Sequence, residues 1–210
     1  MEQFLYGNAD AANVLIQMVD EHDLASIENE YEEIKSRTKA DFCLKAVKVK
    51  SWNKDLSPWE AKAVFGREDF GFGARQTLDE ILTLCGDRQK KYFIGGYSLA
   101  GLFALWAAYQ TEVFDGVAAA SPSVWFPGFT QYMSEGSCLA PLVYLSLGDR
   151  EAKTRNPIMA QVADKIEEAK SILEDEGHKV FFEWNKGNHF VEADIRTAKA
   201  YAWLLRDKDE

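Results

Sequence analysis

The sequence predicts an α/β chain with a mostly parallel central sheet covered by helices on both faces. Three observations carry that expectation. Apolar, strand-like runs alternate with amphipathic helical segments along the 210 residues, which calls for parallel strands joined by crossover helices. One run, Lys91-Tyr92-Phe93-Ile94-Gly95-Gly96-Tyr97, breaks at Ser98 and continues as helix-forming residues from Leu99. Three segments that read as strands end in a serine, an acid and a histidine, in that chain order.

The elements justify this in turn. Phe4-Leu5-Tyr6 reads as a short edge strand, and Asn13 to Val19 as a buried one. Asp23 is placed to cap a helix whose apolar positions are Leu24, Ile27, Tyr31 and Ile34. Asp41 to Val49 alternates enough for another strand. Residues 51–73 form a long irregular loop rich in aromatics, and such loops in compact domains are often functional. Gly71-Phe72-Gly73 within it lacks the preceding strand and third glycine of a phosphate loop and reads as a turn. Leu78, Ile81, Leu82 and Cys85 make a helix face stopped by Gly86.

After the Ser98 segment, Phe114 to Ala120 reads as a small-residue strand and Pro141 to Leu147 as another. Asn156-Pro157 has the cap and first-position proline of a helix with Ile158, Val162, Ile166, Ala169 and Leu173 inward, ended by Gly177. A last strand, Lys179 to Trp184, precedes Asn185-Lys186-Gly187-Asn188-His189. The final helix carries Ile195, Ala198, Tyr201, Ala202 and Leu205 on one face, with Glu192 and Arg196 spaced as an ion pair. No repeat or linker interrupts the pattern, so one domain over 1–210 is expected.

Composition excludes several classes of function. Net charge is −10, against nucleic acid, whose phosphates need clustered Lys and Arg, and against an anionic membrane surface. No charged residue lies between Lys91 and Glu112, but the glycines and the switch from strand-like to helix-like residues favour a buried strand-turn-helix over a membrane span. Cys43, Cys85 and Cys138 are scattered and odd in number, a poor framework for disulfides or metal. Without a basic flank and apolar run at the N-terminus, the expected compartment is the cytoplasm.

A serine at a sharp strand-to-helix turn is the nucleophile elbow of α/β-hydrolases, written G-x-S-x-G. Here it reads Gly96-Tyr97-Ser98-Leu99-Ala100, with alanine in place of the last glycine. The strained turn demands small neighbours two residues away, and it aims the Leu99 N–H at the charge that develops in acyl transfer. A serine hydroxyl needs an adjacent base, and that base needs an acid to hold its tautomer. Of the three histidines, His189 alone follows a strand in a glycine-flanked loop. His178 reads as a solvated helix end, and His22, after the second strand, as local structure or a pocket residue. The acid is Glu151 or Asp149, with a Ser-His dyad lacking an acid as the remaining alternative.

Over about the last 120 residues the chain resembles the putative esterase family of α/β-hydrolases that includes esterase D and enterochelin esterase-like proteins. The matching stretches are Gly95 to Leu105, Phe114 to Trp125 with its Ser121-Pro122-Ser123 segment, Tyr144 to Glu151, and Gly187-Asn188-His189. The resemblance implies hydrolysis of a small-molecule ester by a Ser-acid-His triad without cofactor. A carboxylate three residues after the strand-ending glycine, common in that superfamily, selects Glu151 over Asp149, which is left to cap the turn. Arg150 and Lys153 offer Glu151 a surface ion pair instead.

The N-terminal part departs from the family. Val19-Asp20-Glu21-His22 stands where many α/β-hydrolases have a His-Gly oxyanion motif, which leaves Glu21 as the second candidate donor beside Leu99. No insertion is long enough for a large lid. A shallow cleft walled by Trp125 and the 51–73 loop, with Tyr97 and His22 as further pocket candidates, is the expected binding site. An acyltransferase or peptidase with the same triad, or a non-catalytic binding protein of this fold, are the alternatives.

Overall fold

The computed structural model describes residues 1–206. Within them lie seven strands: β1 (Glu2–Gly7), β2 (Asn13–Val19), β3 (Phe42–Lys48), β4 (Lys91–Tyr97), β5 (Phe114–Ala120), β6 (Leu142–Gly148) and β7 (Lys179–Asn185). They form one sheet in the order β1-β3-β2-β4-β5-β6-β7. β1 lies antiparallel on β3 at one edge, and all other pairs are parallel. The strand order reverses between β2 and β4, where Gln17 pairs with Gly95. Ligands in such sheets gather beyond the strand ends at this switch point.

Eight α-helices accompany the sheet among the described residues: α1 (Glu21–Leu24), α2 (Ile27–Arg37), α3 (Trp52–Asp55), α4 (Ala74–Leu82), α5 (Leu99–Ala108), α6 (Phe129–Glu135), α7 (Val162–Asp175) and α8 (Ala193–Leu204). Successive strand residues point to opposite faces, and the two cores follow from that alternation. Leu15 and Leu44 meet Ile27 and Ile34 of α2 and Tyr201 and Leu204 of α8 on one face. Ile16 and Ile94 meet α4, α5 and α7 on the other. Burying each such Leu, Ile or Phe is worth about 1.5–3 kcal/mol.

Every residue of α5 is buried, which accounts for the uncharged run beginning at Tyr92, since a helix apolar all round must be covered on all sides. No helix among the described residues is long and apolar enough to cross a membrane.

Several boundaries differ from the sequence reading for local reasons. Asp20, not Asp23, caps α1: its carboxylate accepts from the His22 and Asp23 N–H groups, and Asp23 returns a bond to the Asp20 N–H. The chain then breaks at Ala25-Ser26 before α2. α4 ends at Leu82, ahead of Cys85, whose thiol burial pushes up to about 12. Asn156 closes a turn by accepting from Ile158 and Met159 N–H, so α7 starts only at Val162 after a 3-10 turn and Ile158 stays exposed. α6 was not anticipated; seven residues are too few to display a period. The 51–73 loop contains α3 and one bridge, Ala61 to Phe70, and is anchored by its aromatics.

Candidate active site

The strand-to-helix turn between β4 and α5 is built by close approach. A Cβ on Gly96 would meet the Ala100 Cβ at 2.6 Å, so the residue two before the serine must be glycine while the one two after can be alanine. Ser98 itself takes φ 56°, ψ −119°, a sparsely populated conformation of the kind held only where surrounding structure imposes it. The turn carries the hydroxyl to the carboxyl end of β4, at the switch point.

Three side chains converge there. The Ser98 Oγ lies 2.9 Å from His189 Nε2, and His189 Nδ1 lies 2.7 Å from Glu151 Oε2. The other carboxylate oxygen, Oε1, accepts from the Gly148 N–H at 2.7 Å, the Ser121 hydroxyl at 2.8 Å and Arg196 Nη1 at 3.0 Å. Gly148 is required here, because a Cβ would come within 2.9 Å of Glu151 Oε1 and 2.5 Å of the Gly187 carbonyl. Burial pushes the Glu151 carboxyl up, but the His189 hydrogen bond and charge, with Ser121 and Gly148, bring it below its ordinary value. An ionised Glu151 draws the imidazole proton to Nδ1, which leaves Nε2 free to accept from the Ser98 hydroxyl.

Asp149 takes no part in this chain; its Oδ1 accepts from the Gly187 N–H at 2.8 Å and ties the β6 turn to the histidine loop. Glu151 makes no ion pair with Arg150 or Lys153 and is buried against Arg196 instead. Arg196 does not pair with Glu192, as the helical spacing suggested. Only 1% exposed, it also reaches the Tyr97 hydroxyl and the carbonyls of Lys186 and Asn188. One guanidinium thus binds the acid and the backbone on either side of Gly187. The sequence signal was its place on the Arg196, Ala200, Leu204 stripe, all buried.

The Ser121-Pro122-Ser123 segment supplies two further contacts. Ser121, at φ 43°, holds Glu151, while the Ser123 Oγ sits 3.2 Å from the Ser98 Oγ and its N–H donates to the Ser98 carbonyl. At α5, the Leu99 N–H has no hydrogen-bond acceptor among the described residues, as befits the first turn of a helix. Glu21 opens α1 beyond β2; its carboxylate pairs with Lys48 in a separate surface hollow, and its N–H likewise has no acceptor among the described residues.

Tyr97 stands beside the histidine, ring centroids 5.0 Å apart, and donates its hydroxyl to the His189 carbonyl at 2.9 Å. Trp125 is mostly buried and packs against Phe65 and Phe70 of the long loop. His22 is exposed on α1 and shares a cavity with Tyr97. His178 meets Glu176 at 3.1 Å, away from this constellation. No group of three or more His, Cys, Asp or Glu suited to a metal ion occurs among the described residues.

No protein-family model and no curated protein matches the chain. Solved structures do. A siderophore hydrolase from Aspergillus nidulans superposes with a TM-score of 0.70 at 20% identity, over 94% of this chain and 84% of that one. An IroE-like serine hydrolase from Shewanella oneidensis gives 0.73 at 13%, over 97% and 75%. The enterobactin esterase of Shigella flexneri gives 0.60 at 14%, over 96% of this chain but 54% of that one. Identity this low speaks to the fold alone. The chain has the α/β-hydrolase fold of these esterases and serine hydrolases, with no cap domain among the described residues.

Proposed function

We propose that the chain is a serine carboxylesterase that cleaves a small-molecule ester through Ser98, His189 and Glu151. The observation that carries the reading is the unbroken hydrogen-bond chain from the strained Ser98 hydroxyl through both ring nitrogens of His189 to Glu151. In this reading His189 Nε2 takes the proton as the Ser98 Oγ attacks the ester carbonyl carbon. The imidazolium is stabilised by Glu151, and the tetrahedral oxyanion by the Leu99 N–H, with the Glu21 N–H as second donor. Collapse breaks the C–O bond, and His189 returns the proton to the departing alcohol. Water then enters by the same base, and hydrolysis of the acyl-enzyme releases the acid.

The rings of Tyr97 and the exposed Phe190, with centroids 5.0 and 5.6 Å from that of His189, suit an apolar or aromatic ester. Because two neighbours are named a siderophore hydrolase and an enterobactin esterase, ester-linked siderophores belong in the assay beside p-nitrophenyl esters. The test is turnover of that ester series by the parent and by Ser98→Ala. The reading requires hydrolysis by the parent and a loss of roughly 10⁴-fold or more in the variant, which should remain folded. A parent inert to every ester, or a variant as active as the parent, would contradict it.

A further inference from the structure

Beside the Ser98–His189 pair lies a cavity of about 250 Å³ that the chemistry above does not use. Tyr97 and Phe190, the chain neighbours of Ser98 and His189, form its wall on that side. Phe190 is 88% exposed, an unusual placement for a phenyl ring unless something covers it. The cavity is too small for a whole drug-sized ligand, which typically takes ~300–1,000 Å³, but it can hold a small group one residue away from each of Ser98 and His189.

Its chemistry leans acidic, with His22 of α1 the one lining side chain that can carry positive charge. Asp23 faces it from α1, Glu192 and Asp194 from the start of α8, and Glu30 from α2, with no lysine or arginine among the lining residues. Two of the lining side chains are also incomplete. Gln17 and Glu30 are 3% and 4% exposed and are joined by one bond, Gln17 Nε2 to Glu30 Oε2 at 3.1 Å. The remaining oxygen of each has no partner among the described residues. Leaving such atoms unpaired costs about 1–3 kcal/mol apiece, and the Gln17 amide oxygen, which can only accept, awaits a donor.

The Glu192 and Asp194 carboxylates, the orphaned Gln17 oxygen and two aromatic rings together recognise a compact organic cation, because ammonium groups supply N–H donors, positive charge and attraction to ring faces. The lining residues do not gather into a set able to hold a metal ion. We propose that this cavity is a subsite for an alkylammonium group on the substrate, so that the ester cleaved at Ser98 carries an amine a few bonds from its carbonyl. The inference rests on the hydrolase reading for its link to turnover, though not for binding itself. It is a selectivity device: Tyr97 separates a cation-binding end from the reacting end.

The experiment uses the full chain and two matched substrates, p-nitrophenyl 6-aminohexanoate and p-nitrophenyl heptanoate, with the double variant Glu192→Gln/Asp194→Asn. These side chains lie at the rim, and neither belongs to the Ser98–His189–Glu151 chain. The parent should favour the amino ester in kcat/KM, and the double variant should lose about tenfold on it while changing less than twofold on the neutral ester. A second arm measures binding of hexylammonium against hexanol by ligand-observed NMR, which needs no catalysis. Hexylammonium should bind the parent and release from the variant. Equal handling of the two esters, or equal binding of the two hexyl compounds, overturns the subsite. Retained hexylammonium binding with neither ester turned over would remove the hydrolase reading and leave the subsite standing.

Discussion

The two sides of Tyr97 differ in one physical respect. Towards Ser98, each oxygen and ring nitrogen of the serine, histidine and glutamate chain has a partner, and Oε1 of Glu151 has three. Towards α1 and α2, Gln17 and Glu30 keep oxygens with none among the described residues. A buried polar network gains rigidity when it is fully satisfied and is costly when it is not. The saturated side suits a task that needs one fixed geometry. The unsaturated side suits a task completed by something arriving from outside.

The contrast is broken most forcefully at the acid. Glu151→Gln should lower kcat by 10³–10⁴-fold through loss of the tautomer-holding charge, whereas Asp149→Asn should stay within about threefold, since its carboxylate only accepts from the Gly187 N–H. Parallel steady-state kinetics with a folding check decide between them. Loss in the asparagine variant alone would move the acid to Asp149.

The next effect falls on stability. Arg196→Met would leave Glu151 as a buried charge without its cation, which typically costs 3–5 kcal/mol. Urea denaturation should show it. A variant as stable as the parent would mean that the guanidinium does not hold the saturated side together.

The smallest expected effect lies on the unsaturated side. Burial pushes the Glu30 carboxyl well above its ordinary value; the Gln17 bond opposes this, and the nearby Asp23 and Asp194 reinforce it. The folded state therefore keeps a proton that the unfolded chain has already lost. The stability this provides is present in acid and declines as pH rises above the ordinary carboxylate value. Asp23, pushed up to about 6 by burial, adds the same slope in both proteins compared. Glu30→Gln cannot titrate, so its melting midpoint relative to the parent should rise between pH 5 and pH 8. Parallel curves would show that Glu30 carries no such load.

Sequence legibility follows the same division. Ser98 and His189 were legible because each sits in a local signal, a glycine-flanked turn next to a strand, and Glu151 because a fixed count from Gly148 reaches it. Those signals span only a few residues. Arg196 was misread because the Glu192 spacing offered a plausible surface pair, while its side-chain partners lie 45, 75 and 99 residues away in sequence. The sheet was legible from its apolar runs, but the switch between β2 and β4 was not, since strand order depends on how crossovers close. The cavity was invisible for a related reason. It combines α1, α2, β2 and α8, and no local pattern joins Gln17 and Glu30 to Asp194.

The central claim is that Ser98 is an activated nucleophile. The most direct test is treatment of the intact chain with a fluorophosphonate probe, followed by mass-spectrometric location of the adduct. The account predicts stoichiometric labelling on Ser98, none in Ser98→Ala, and sharply slowed labelling in Glu151→Gln. An unlabelled parent, or an adduct on any other residue that persists in Ser98→Ala, would contradict it.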